Sequence, residues 1–350
     1  MPWFRQKAGD GSQLVQAGTV NNNYGISVKD AEHICIRLME ERFASYSQQA
    51  FQTAKARVEE FTYNYLKALT EKSPQAIENL GDPGVLAAVL EAEEGYAKTG
   101  DVNLGEILVE MLVKRTSETS RDTRQLALNE AIGAVQKLTD KHLDALSLIF
   151  FLTHVEANAP NLQTFLTVLN SVLEGVSGSF ETLTPSDIQY LEATGCAVRV
   201  PLSSHSWPGI LKKKYPGYFH KGIIENETPA VADIKGRVSD WGRLFVSSLH
   251  DPNMIRVNAV TETQARDLAE SAGLERDALV NLMTSYPLSD QEIREVVTTA
   301  VPALRVVFDR WSEVDCDAFA PSLTGVAIAH ANFKKTAGAV FDAEIDVWIK

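Results

Sequence analysis

The chain has 350 residues, 45% of them hydrophobic, which is enough for two cores but leaves no run apolar enough to span a bilayer. Acidic residues outnumber basic ones by 46 to 33, and the formal charge of -13 opposes docking on nucleic acid or anionic lipid. Cys35, Cys196 and Cys316 are odd in number and far apart, which excludes a disulfide framework and a Cys-x-x-Cys zinc site. Reduced thiols and a start, Met-Pro-Trp-Phe-Arg, without a signal-peptide core lead to a cytoplasmic expectation.

The stretch from Gln6 to Tyr24 differs from everything after it. Gly9, Gly11 and Gly18 punctuate two short β-prone runs. Its side chains Gln13, Leu14, Val15, Gln16, Val20, Asn21, Asn22 and Asn23 can pair with copies of themselves in other chains. Residues 1–26 therefore read as an assembly leader, and the protein as a homo-oligomer. Two such runs are too little to fold alone, so they pair with the body, pair with other copies or stay unstructured.

Ser27 and Asp30 make a near capping box ahead of a helical run. Ala54, Val58, Phe61, Tyr65 and Ala68 align one stripe at spacings of three and four, and no proline or glycine intervenes from Ser27 to Ser73. One helix of roughly 45 residues, about 65 Å long, is the expectation, packed in a bundle. Shorter helices follow over 74–80, 85–98, 104–115, 123–138, 141–156 and 162–174, separated by glycine and proline breaks. Gly175-Val-Ser-Gly-Ser179 reads as the boundary between a helical domain, 27–178, and a smaller α+β domain, 179–350.

Beyond it, Thr184 to Gly195 reads as a capped helix and Cys196 to Leu202 as a strand. Residues 201–229 hold four prolines and read as a long loop. Helices are expected over 234–249, 263–272, 276–284 and 289–311. Phe341, Ala343, Ile345, Val347 and Ile349 alternate with polar neighbours and Trp348, which predicts a closing strand paired with 196–202. The fold class is mainly α: a multi-helix bundle with a β-prone leader and a smaller α+β part.

The long loop is the main candidate site. His205, Trp207, Lys212, Lys213, Lys214, Tyr215, Tyr218, His220 and Lys221 combine cations for phosphates with rings, Phe219 included, for stacking on bases. The same prolines and aromatics also suit a structural loop anchored in a core, so both readings stand. Residues 264–282 resemble a helix-turn-helix, with Ala269, Gly273, Leu274, Leu279 and Leu282 at its packing positions. Glu275 and Asp277 would repel phosphates, which leaves a plain helical hairpin.

No phosphate loop, His-Glu-x-x-His, Gly-x-Ser-x-Gly or dinucleotide fingerprint occurs. No two histidines fall at i and i+4, so no catalytic residue, metal or cofactor is assigned.

The leader's Ala-Gly-Asp-Gly-Ser and Gln-Ala-Gly, the segment Ile188 to Gly195, and the end Leu323-Thr-Gly-Val-Ala-Ile-Ala-His-Ala-Asn-Phe-Lys-Lys with Val-Trp-Ile-Lys resemble a family of uncharacterised bacterial proteins. Some relatives of this type sit among phage-defence genes. The resemblance implies a defence role and supplies no established activity and no catalytic residues; together with the assembly leader it leads to the first reading, a non-enzymatic homo-oligomeric sensor or effector that also binds a phage or host protein. The alternative is a nucleic-acid-binding or nuclease-like effector using residues 205–221. Pro321-Ser-Leu-Thr-Gly325 is shorter than the Leu-Thr-x-x-Gly pattern the resemblance leads one to expect, which implies a different role for Gly325.

Overall fold

A computed structural model describes residues 27–43, 47–157, 159–200 and 206–350. The assembly leader and His205 lie outside the described residues. Ser27 and Asp30 bond to each other (Oγ to Oδ2, 2.6 Å) and open α1 (Val28–Phe43). A second cap, Ser47, accepts from the amide of Ala50 and opens α2 (Gln48–Lys72). The single long helix expected over 27–73 is thus two helices, packed on each other with Lys55 bridging to Glu40 at 2.8 Å. Folding back buries Ala54, Val58, Phe61 and Tyr65, a stripe that an unpaired helix would leave in water.

Aspartate and asparagine caps set the next starts. Asp82, Asp101, Asp122 and Asn161 each accept from a first-turn amide of α3 (Pro83–Thr99), α4 (Val102–Ser117), α5 (Thr123–Val135) and α7 (Leu162–Ser177). Between them, α6 (Asp140–His154) opens with a Thr139–His142 capping box. Gly100 ends α3 in the left-handed conformation, φ 63°. The stretch expected to separate two domains is helical to Ser177, Val176 is buried, and one core runs from Ala31 to Ile349 across it. Gly175 is tolerated inside a helix because the apolar face of α7 is held by the core.

After α8 (Pro185–Ala193), β1 (Ala197–Arg199) leads to α9 (Trp207–Lys214), a helix inside the expected loop. The helix expected over 234–249 is instead α10 (Pro229–Arg237), a 3-10 turn and β2 (Phe245–Ser247), which pairs antiparallel with β3 (Ile255–Val257). Next come α11 (Glu262–Ser271) and α12 (Ala278–Ser285). Pro302 divides the helix expected over 289–311 into α13 (Asp290–Ala300) and α14 (Arg305–Arg310), since its ring cannot continue a helix.

β1 pairs with β4 (Phe319–Pro321), not with the carboxy-terminal tail. The tail makes a 3-10 turn at Ile345–Val347. Phe341, Ile345 and Ile349 are buried and Val347 is exposed, so every fourth residue is inward where a strand would bury every second.

The last helix, α15 (Leu323–Ala337), packs against α4, α5 and α6 at the centre of the molecule. A Cβ on Gly325 would lie 1.8 Å from the Cys196 carbonyl oxygen, so this glycine serves close packing rather than a turn. Glu110 pairs with Lys72 and Lys334, and Glu344 with Lys334 and Lys114, joining α2, α4, α15 and the tail. A second, smaller core gathers Ile223, Val231, Leu244, Val257, Ala265, Leu279 and Met283 around β2, β3, α11 and α12. The fold is mainly α with a few short strands, and no described helix is long and apolar enough to cross a membrane.

Candidate functional site

The described part of the expected loop that holds the candidate residues, 206–221, is where the two cores meet, and its aromatic side chains are buried there. Trp207 is 1% exposed, with its ring centroid 4.1 Å from that of Phe308. Tyr215 accepts from the amide of Ala157 at 2.7 Å, and Tyr218 donates to the Ala159 carbonyl at 2.6 Å. Both rings pack on Phe165. Burial pushes the Tyr215 phenol up to about 12. Phe219 is fully enclosed, and His220 bridges the Leu282 carbonyl and the Gly222 amide. These rings cannot stack on bases without opening the core, which corrects the base-stacking expectation. Proline and aromatic residues near lysines look alike in sequence whether they face water or anchor a chain.

The cations divide three ways. Lys212 pairs with Asp290 at 3.0 Å and Lys221 with Glu292 at 3.1 Å, so α13 neutralises both. Two bonds from Ser289, with Lys221, hold the Glu292 carboxyl down to about 2. Lys213 is exposed. Lys214 turns inward and donates to the carbonyls of Phe151 (3.4 Å), Leu152 (2.9 Å) and Val155, capping the end of α6. Burial pushes its ammonium down to about 8, against the pull of Glu156. Three acceptors match the three N–H bonds of an ammonium, whereas a neutral amine would turn a lone pair on one of them. Lys214 is therefore a capping cation rather than a nucleophile.

Two clefts open on either side of this capped helix end, and Glu156 borders both. The polar one, about 610 Å³, lies between α9 and α11 and is lined by Ser206, Lys213, Thr261, Thr263 and Arg266. Arg266 is already paired with Glu262 and Asp277, both at 2.8 Å. The apolar one, about 640 Å³, lies among α6, α7, α15 and the tail. Val155, Val172, Phe333 and Phe341 form its floor; Val340 and Val347 are 59% and 57% exposed at its edge. The half-exposed Trp348 is fixed by donation from Nε1 to the His154 carbonyl at 3.0 Å. Sequence reading missed this groove because its residues come from four separate segments. The one local signal, Phe341 to Trp348, has the alternation of a strand in sequence.

The α11–α12 pair is a helical hairpin turned by Gly273, with Ala269, Leu274, Leu279 and Leu282 buried. Its one forward cation, Arg276, lies 3.5 Å from Glu270. His142, His154, His220, His250 and His330 each hydrogen-bond within the fold. Among the described residues, no three His, Cys, Asp or Glu side chains are arranged to hold a metal.

Fold and clefts together define a class: a mainly helical protein with an apolar groove on its surface. The chain belongs to the family whose model, described as ":-like", matches residues 25–349; that family is an uncharacterised one. The match covers the whole helical body and stops short of residues 1–24. No curated protein and no solved structure matches the chain.

Proposed function

We propose that this is a non-enzymatic, self-assembling cytoplasmic protein whose helical body docks a polypeptide segment, acting as a sensor or effector in bacterial anti-phage defence. The observation that carries the docking reading is the apolar groove, with Val340 and Val347 exposed at its edge over a floor of valine and phenylalanine. Contiguous exposed apolar surface rimmed by polar groups is what protein contacts use. Self-assembly is supported by the amide-rich, β-prone leader ahead of the body. Three buried free thiols suit a reducing compartment. The defence role is supported by the resemblance of the leader and the carboxy-terminal segment to proteins encoded among phage-defence genes.

Light scattering of the intact chain and of residues 27–350 tests assembly. The intact protein is expected at a multiple of its 38.5 kDa chain mass, and the shortened one at a smaller multiple. An unchanged number of subunits on removing the leader contradicts assembly through it. Plating of phages on cells producing either form tests the defence role, with protection expected from the intact chain alone.

A further inference from the structure

The groove has apolar walls and an acidic rim. Glu156 and Asp342 are exposed carboxylates on its border, and none of the described residues lining it is a lysine or arginine. Its complement is a segment with large apolar side chains followed closely by cations. The chain carries one in the leader: Trp3-Phe4-Arg5-Gln6-Lys7 places two aromatic residues directly before two cations in three positions. We propose that this groove seats Trp3 and Phe4, with Arg5 and Lys7 set against Glu156 and Asp342.

Two aromatic side chains bring about 150–250 Å² of buried surface each, the kind of anchor that dominates segment docking. The cations choose the direction in which the segment lies, because only one direction brings them to the acidic rim. Residues 8–26 span up to about 60 Å at about 3.3 Å each, whereas a folded chain of this length has a radius of gyration near 20 Å, roughly. The segment and the groove it fills belong to one copy or to two, which the test distinguishes. This goes beyond the assembly assigned to residues 13–23: it uses different residues, and its failure would leave that assembly standing.

The test uses the full chain with Trp3 replaced by the photo-crosslinking residue benzoylphenylalanine, irradiated and mapped by peptide mass spectrometry. Adducts are expected on peptides spanning 151–157 and 333–348. Their yield should fall at least fivefold in Val340→Glu and in Val347→Glu, both at exposed positions where the melting curve serves as a folding control. Arg5→Glu with Lys7→Glu should lower the yield as well, and Glu156→Lys with Asp342→Lys should restore it. Mixing isotope-labelled and unlabelled chains tells whether segment and groove belong to one copy or two, and either result supports the docking. Adducts on other faces, or yields indifferent to the valine and charge changes, overturn it. Adducts confined to other leaders overturn it while supporting leader assembly.

Discussion

Glu93 lies on α3 with 1% of its surface exposed, its Oε1 accepting from the Thr62 hydroxyl at 2.8 Å and the Cys35 thiol against the same carboxyl. Burial is the largest influence and raises the carboxyl from 4.5 to about 7, while the two hydrogen bonds oppose it. A carboxyl raised by folding holds a proton in the native state that the unfolded chain has lost. Its contribution is therefore complete below about pH 4.5 and disappears as pH rises through about 7. Glu93→Gln keeps the shape and the bond from Thr62 but cannot ionise. Urea unfolding at pH 5 should find parent and variant nearly equal. At pH 8 the variant should be the more stable, by an amount on the order of 3 kcal/mol at most. A difference that does not grow between the two pH values would mean that the carboxyl is already ionised in the fold. In sequence, Glu93 sits between Ala92 and Glu94 and reads as part of a solvated face. Only the helix packed over it makes it a core residue.

At the scale of the element, α15 shows how a local cap serves a global contact. Ser322 Oγ accepts from the Gly325 amide at 3.1 Å and donates to the Gly195 carbonyl at 2.5 Å; the Ser322 amide donates to the Cys196 carbonyl at 3.0 Å. One serine thus starts the central helix and fastens it to the turn between α8 and β1. Ser322→Ala removes both side-chain bonds and should cost about 1–2 kcal/mol, read as a lower urea midpoint at unchanged m value. A loss well under 0.5 kcal/mol, roughly, would mean that water replaces both bonds. Caps of this kind marked two helix starts in the sequence, at Ser27 ahead of α1 and at Thr184 ahead of α8. Sequence reading failed over 27–73, which holds no glycine or proline, over 234–249 and 289–311, where the expected helices run through Gly236, Gly242 and Pro302, and in the short tail, where spacings of two and four overlap.

For the whole molecule, the division into cores carries a prediction. The larger core draws on α1 through α9 and on α13 through α15, whereas the smaller one is confined to residues 223–283. The amides of Gly217, Lys221 and Leu288 make backbone bonds to Val260, Tyr286 and Phe219 across the junction of the two. Fewer buried apolar contacts mean a smaller opening free energy. In hydrogen exchange, amides of β2, β3, α11 and α12 should therefore exchange before those of α4, α6 and α15. Equal protection throughout would show that the two cores open as one. The described residues offer the expected basic loop no phosphate surface beyond Lys213 and the already paired Lys212 and Lys221. The net charge of -13 acts in the same direction.

What the sequence determined by itself was local. Helix starts at capping side chains, the stop at Gly100 and the mainly α class rest on interactions within a few residues, which the order of side chains specifies. Tertiary structure alone decided which side of each polar or aromatic residue faces water. It buried Trp207, Tyr215 and Tyr218, turned Lys214 from a phosphate ligand into a helix cap, and brought Phe151, Val172, Phe333 and Trp348 from distant segments to one groove. Burial depends on what packs from elsewhere in the chain, and no spacing along the sequence encodes that partner.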